Sequence, residues 1–496
     1  MAFETQSVNI QTKKILGVGE FAVETKISLD LEKPLKRVLS VKALADVSSC
    51  EQIDADYTML GKTQINVLYL TENNTLESVM GYADWQNSVK VVGEVSFAQV
   101  SVKEVIYDAV SSNEIGISVL HNVYAHGISK DQITTLVNLP EDYVCNKAEV
   151  CFNQVKASST SKFVVTDNID MPNALQILNS SACVKVKSVT SGIDLASVEG
   201  EIDVKLFYAT ADGTNTLTKT LDFKQEVSCL GAVPSDLSSA NVYINSITST
   251  LEFADKTNLV LAVGLCAQAD VYESKNLQVV TDVFSLSKKL ETTTEYIDYT
   301  TYLNSNYYND TVVCNAVLDK DNVDELVSVI NPTVELSYAN VLNGKLNIEG
   351  VVKSTVVYKD NQAETTNSYN MVCPFISRID TDISGGINNI NINCNLSNTK
   401  LRSGKEIEIV VALNISCDTS AETYFDYIKN INEVGPKEEQ SSAITIYVTK
   451  ENESLYSVAK ALNVLPETIT SQNEVIDNKF ASGQRVFVYS PLNIQF

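Results

Sequence analysis

The side chains able to do acid–base or metal chemistry are few in this chain. Histidine, which titrates nearest neutral pH, occurs only twice, at His121 and His126 in one short stretch. Two imidazoles exclude a three-histidine zinc site and leave little material for histidine-based catalysis. His121 is read as lying just after a strand and His126 in the following turn, as packing or surface residues. Gly17-Val18-Gly19 lacks the third glycine and the opening helix of a dinucleotide loop. No GxSxG, HExxH or P-loop pattern occurs. Glu438-Glu439, and Asp54 with Asp56, are pairs that an acidic surface produces by chance, and solvation is their default reading. A glycosidase needs two carboxylates across a cleft, and no spacing here points to one. Trp85, the one tryptophan, reads as a core or turn anchor rather than a sugar platform. The expectation is a chain with no catalytic residues, no metal and no cofactor.

The ten cysteines are spread singly, with no CxxC pair. Several sit in apolar runs such as Val260-Leu261-Ala262-Val263-Gly264-Leu265-Cys266, where cysteine packs as a small hydrophobe. The N-terminus, Met1-Ala2-Phe3-Glu4-Thr5-Gln6, has neither the basic nor the apolar region of a signal peptide. Buried, reduced thiols are therefore expected. No apolar run reaches about 18 residues, so no membrane span is expected. The 62 acidic residues outnumber the 37 basic ones and give a formal charge of −25, which repels nucleic acid and anionic membranes.

These elements must be positioned by something, and the chain's periodicity shows what. At 496 residues it has room for three or four domains of roughly 150 residues. Gly61, Gly200 and Gly350 each precede a tyrosine (Tyr69, Tyr208, Tyr358) by eight residues of largely alternating or β-branched sequence. The glycines lie 139 and 150 residues apart, about one domain length. A run precedes each: Arg37-Val38-Leu39-Ser40-Val41, Leu175-Gln176-Ile177-Leu178-Asn179 and Leu326-Val327-Ser328-Val329-Ile330. An alternating or apolar run follows each after a polar turn, starting at Glu114, Asn258 and Glu406. Three markers in one order predict three tandem β-sandwich-like repeats, each glycine beginning a strand that ends at the tyrosine. Period-two alternation is clearest at Ile387-Asn388-Asn389-Ile390-Asn391-Ile392. The expected boundaries are 1–155, 156–297 and 298–432.

Residues 433–443, with Gly435-Pro436 and a polar run, read as a linker. Beyond it a strand, Ile444 to Val448, precedes Leu455, Val458, Ala459 and Leu462 at helical spacing. Asn452 or Ser454 is placed to cap that helix. Pro466 is suited to open a second helix that turns Ile469 inward and ends near Asn473. A turn at Ser482-Gly483-Gln484 and a final strand complete a small β-α-α-β module. The predicted fold class is mainly β, three sandwich-like repeats followed by this module.

Residues 444–491 resemble a LysM domain. Asn452-Glu453-Ser454-Leu455-Tyr456-Ser457-Val458-Ala459 is similar to its Gly-Asp-Thr-Leu-Trp-x-Ile-Ala motif, Asn473 to the asparagine closing its second helix, and Gly483-Gln484 to its Pro-Gly-Gln turn. Asn452, Glu453 and Ser454 depart from the motif in the loop that glycan-binding members use, and Tyr456 stands where tryptophan is common. Tandem β-rich units followed by one such domain resemble the SPOCS-domain (SipL-like) spore coat and envelope morphogenetic proteins of Clostridia. The resemblance implies a non-enzymatic scaffold at the forespore surface of the mother cell and in the spore coat. Its LysM would bind a coat morphogenetic ATPase of the SpoIVA type, and its repeats further coat proteins. Asn452, Glu453, Tyr456, Gln472 and Asn473 are then the candidate partner-binding residues, on a module too small to hide all its apolar surface. The alternative is a cell-wall protein that binds peptidoglycan glycan through the LysM.

Overall fold

The structure is a computed structural model that describes residues 4–17, 23–53, 56–90, 95–136, 139–253, 257–318, 323–360, 365–383, 385–403, 405–437 and 444–489. Three β-rich units follow one another. The first holds β1 (Thr5–Gly17), β2 (Val23–Asp30), β3 (Leu35–Ile53), β4 (Asp56–Thr71), β5 (Leu76–Lys90), β6 (Val95–Ser111) and β7 (Glu114–Leu136). The second holds β8 (Tyr143–Asp170), β9 (Gln176–Ser191), β10 (Leu195–Thr210), β11 (Gly213–Ser228), β12 (Leu237–Phe253) and β13 (Thr257–Ser285). The third holds β14 (Lys288–Val317), β15 (Val323–Leu342), β16 (Lys345–Asp360), β17 (Thr365–Asp380), β18 (Gly386–Ser403) and β19 (Glu406–Pro436). β20 (Ile444–Val448), α1 (Leu455–Leu462), α2 (Pro466–Thr470) and β21 (Arg485–Tyr489) complete the chain.

β10 shows why these residues make strands. Ala196, Val198, Ile202, Val204 and Leu206 are buried, while Ser197, Glu199, Glu201, Asp203 and Lys205 alternate with them on the wetter face. It lies between β9 and β11, and this sheet covers a second one ordered β12-β13-β8. Val198, Ile202 and Val204 meet Leu261, Val263 and Leu265 in one core between the two sheets. The third unit repeats the plan with β15-β16-β17 over β14-β19-β18. In the first, β3-β4-β5 covers a sheet in which β7 pairs β1, β2 and β6.

The three glycines do not begin strands; each lies inside a central strand, β4, β10 or β16. The physical reason is an aromatic ring. Gly61 pairs with Trp85, Gly200 with Phe223 and Gly350 with Phe375 on the adjacent edge strand. A Cβ on any of the three would lie 2.0–3.0 Å from that ring, so glycine is present because the ring lies over the backbone. Beside each glycine the first strand of the sheet carries one extra residue, Ser48, Lys187 or Ser337. Beside each tyrosine it carries another, Leu39, Leu178 or Val327.

This second bulge joins the units. Leu39, Leu178 and Val327 meet Leu68, Leu70, Phe207, Ile330 and Val357 in one shared apolar cluster. A polar ring closes around it. Asn179 Nδ2 donates to Asn331 Oδ1 at 3.1 Å and Asn331 Nδ2 to Ser40 Oγ at 3.1 Å. Lys42 Nζ donates to the Ser180 carbonyl and Lys205 Nζ to that of Val329. Each bulge thus aims an apolar side chain out of its own sandwich into the common seam.

The expected boundaries at 155/156, 297/298 and 432/433 fall inside β8, β14 and β19. These strands run on past their sandwiches as two-stranded ribbons with β13 and with each other, beside β1 and β7. Ile133, Val150, Phe152, Leu277, Val279, Tyr299 and Tyr427 pack the ribbons together. No helix among the described residues is long and apolar enough to cross a membrane.

Candidate protein-interaction site

The module's local sequence explains its form. Ser454 caps α1, its Oγ accepting the Ser457 N–H at 3.1 Å. Asn452 adopts φ 56°, a left-handed conformation that asparagine tolerates better than most side chains. Glu453 Oε2 accepts the Lys450 N–H at 2.8 Å and Oε1 the Tyr447 hydroxyl at 2.7 Å. The Lys450 amide first and then the tyrosine hold its carboxyl below the usual range. Pro466 opens α2, and Leu455, Val458, Leu462 and Ile469 are buried with Val486 and Val488.

Gln472 and Asn473 face the backbone of β21. Asn473 Oδ1 accepts the Phe487 N–H at 2.8 Å and its Nδ2 donates to the Phe487 carbonyl at 2.7 Å. Gln472 Oε1 accepts the Tyr489 N–H at 2.8 Å. The two amides satisfy the outer edge of β21 as a neighbouring strand would.

Tyr456 turns the other way. Its ring lies 5.7 Å from that of Phe284 at the far end of the β13 ribbon. Lys460 Nζ donates to both carboxylate oxygens of Asp282 at 2.7 and 2.6 Å, and Asn463 Nδ2 to the Leu286 carbonyl at 2.9 Å. Burial pushes the Tyr456 hydroxyl above its ordinary range. So of the five candidate residues the structure brings Asn452 and Glu453 together in one loop. Gln472 and Asn473 lie on the β21 edge, and Tyr456 lies on the face docked against the second unit. Phe284, Asp282 and Leu286 were not found by reading the sequence; nothing marks them except their place near the end of an alternating run.

The remaining chemistry-bearing residues are engaged in packing. His121 and His126 both lie inside β7 rather than after a strand and in a turn. His121 is fully buried, with Nε2 2.7 Å from Thr63 Oγ1 and its ring stacked on Trp85. His126 stacks on Phe97. Seven cysteines are buried, Cys50 and Cys145 are partly so, and Cys151 is exposed, an exception to the expected burial. All ten are free thiols. Gly17-Val18-Gly19, Glu438-Glu439 and Asp54 lie wholly or partly outside the described residues. Among the described residues no three His, Cys, Asp or Glu side chains are grouped to hold a metal ion. A cleft of about 510 Å³ opens between the first two units. On its wall Lys162 Nζ pairs with Asp46 at 2.6 Å, and Lys62 Nζ lies 4.9 Å from the centre of the Tyr82 ring.

The fold and this site define a mainly β protein whose sandwich units are joined at a common seam and carry a small α/β module at a ribbon tip. Residues 173–252, the span from β9 into β12, match the family model described as SipL, SPOCS domain, so this part of the chain is similar to the SPOCS-domain family. The match includes Gly200, Tyr208 and Phe223. No curated protein and no solved structure matches the chain.

Proposed function

We propose that this chain is a non-enzymatic scaffold for spore envelope and coat assembly. In this reading the three units are copies of one SPOCS-type domain, and the C-terminal module is a LysM domain that binds a coat morphogenetic ATPase of the SpoIVA type. Further coat proteins dock on the β units, and the site of action is the forespore surface on the mother-cell side. The observation that carries the reading is the SPOCS match on the second unit, combined with the same glycine, covering aromatic and paired bulges in the first and third. The engagement of Glu453, Gln472 and Asn473 within the module also favours a protein partner, since these side chains are spent on the module's own backbone and on Tyr447.

The test uses the full chain. Immobilised protein is presented with purified SpoIVA-type ATPase and, separately, with insoluble peptidoglycan. Retention of the ATPase alone is expected. Sedimentation with peptidoglycan and no retention of the ATPase would replace the scaffold reading with the glycan-binding one. Tyr456→Ala should release the module from Phe284 and weaken ATPase retention only if the docked orientation presents the binding surface.

A further inference from the structure

The cleft between the first two units has a floor from which a side chain is missing. β12 carries one extra residue, Asn245, between Ile244 and Ser246, and Gly264 of β13 stands opposite Ser246. The matching bulge of the first unit, Lys103 in β6, faces Leu120. A Cβ on Gly264 would lie 2.2 Å from Ser246 Oγ and 2.3 Å from Asn245 Oδ1. The bare backbone thus lets both side chains lie against it, with Ser246 Oγ donating to Asn245 Oδ1 at 3.3 Å. Asn245 Nδ2 has no partner among the described residues. On the first unit's wall, Lys62 stands in register between Asp46 of β3 and Asp84 of β5 and forms an ion pair with neither. Its ammonium leans over the Tyr82 ring instead. Asp46 is taken by Lys162 of the second unit, and Asp84 does not line the cleft. Lys162 spends two of its three protons, on Asp46 and on the Val47 carbonyl.

The cleft therefore offers N–H donors from β4, β8 and β12, while Asp46, the one carboxylate among its lining residues, is already paired. Donors without acceptors suit a ligand that brings oxygen acceptors and negative charge. On a chain of −25, two ammonium groups beside one carboxylate set this cleft apart from the acidic surface around it. We propose that the cleft binds a small organic phosphate with a hydroxylated body, of the size of a sugar phosphate. A carboxylate presents two oxygens in one plane, whereas a phosphate presents oxygens in several directions, as donors on three strands require. Lys62, Lys162 and Asn245 hold the phosphate. The cleft volume of about 510 Å³ is far more than a bare phosphate fills and lies within the range of small-molecule sites. Ser48, Ser246 and Thr248 bring hydroxyls to the body, and Phe163 and Val164 give it an apolar side. The inference goes beyond the scaffold reading and stands or falls separately from ATPase retention.

The experiment is saturation-transfer NMR on the full chain with glucose 6-phosphate or glucose, each titrated to about 10 mM because a small ligand held by a few polar contacts binds weakly. Glucose 6-phosphate is expected to bind and glucose is not, and inorganic phosphate should displace the sugar phosphate only when in excess. Lys62→Gln should raise the dissociation constant about tenfold or more. Gly264→Ala pushes Asn245 and Ser246 off the floor into the ligand's space and should do the same. Lys345→Gln makes the same change of charge on the third unit and should leave binding as it is. Circular dichroism and melting temperature confirm that each variant is folded, and Lys62→Gln, at an exposed position, serves if Gly264→Ala is not. No binding of glucose 6-phosphate across the titration, equal binding of glucose, or binding that the folded cleft variants leave intact overturns the proposal. Displacement by inorganic phosphate at equal concentration overturns the assignment of an organic body.

Discussion

Replacing Gly200 by alanine tests the claim that the sandwich is built around a ring lying on a bare backbone. The added Cβ would sit 2.4 Å from the Lys185 carbonyl oxygen and 2.6 Å from Phe223 Cε1. Both are far inside contact distance, and the carbonyl belongs to the bulged strand, so the residue cannot simply turn away. Overpacking of this kind costs about 1–3 kcal/mol. A cost near 2 kcal/mol in a unit that spans Tyr143 to Ser285 lowers its melting temperature by about 4–8 °C. Gly435 supplies the control, since a Cβ there meets nothing within 4 Å, and Gly435→Ala should be neutral or slightly stabilising. The assay is calorimetry of the full chain, with hydrogen exchange assigning each transition to a unit because three units need not melt together. Gly200→Ala should lower protection in β9, β10 and β11. Adding Phe223→Leu should recover part of the loss, the backbone clash remaining. A Gly200→Ala chain as stable as the parent, or a double variant whose losses simply add, would refute the ring-on-glycine account.

Two further outcomes follow from buried titrating groups. Lys42 donates to a backbone carbonyl in the inter-unit seam, and burial pulls its ammonium down to about 8. Its folded value lies below the ordinary one of 10.5, so between those values the unfolded chain holds a proton that the folded chain lacks. The cost of charging it is fully present below pH 8 and is relieved as pH rises toward 10.5. Lys42→Met should therefore stabilise the protein at pH 7 by about 2 kcal/mol, with a gain that shrinks by pH 10, as melting temperatures across that range will show. For the thiols, burial pushes Cys183, Cys314 and Cys417 up to about 12. Iodoacetamide at pH 8 should label exposed Cys151 first in the native chain, and ten groups only in denaturant. A native chain that labels Cys183 as fast as Cys151 would contradict the burial of Cys183.

Much of the fold was legible because period two survives in the sequence wherever one face of a strand is buried. The alternation in β10 and the helical spacing of Leu455, Val458 and Leu462 belong to that class. What the spacing of Gly200 and Tyr208 could not convey is that the strand starts five residues before the glycine, since alternation alone has no marker for its own end. The bulges were hidden for a related reason: Leu178 looks like one more apolar residue in a run, and only its partners show it to be extra. Unit boundaries escaped because β8, β14 and β19 continue from sandwich to ribbon without a change of period. The ribbon has its own apolar side, as Tyr299 and Tyr427 show, so no break in composition marks the passage.

The candidate site was legible in its elements and not in its connections. Asn452, Gln472 and Asn473 are polar residues at loop positions, and a polar side chain at a loop is equally consistent with a partner and with the chain's own backbone. The backbone has the first claim. An unpaired strand edge in a module of this size exposes several N–H and C=O groups, and amide side chains satisfy them at little conformational cost because they are already tethered one turn away. Once β21 is closed in this way, the outward N–H and C=O groups of β20 are the ones in this sheet that no described residue bonds. Asn473, which the motif singles out, and Gln472 beside it thus close one edge of the sheet, and among the described residues nothing does the same for Ile444 to Val448.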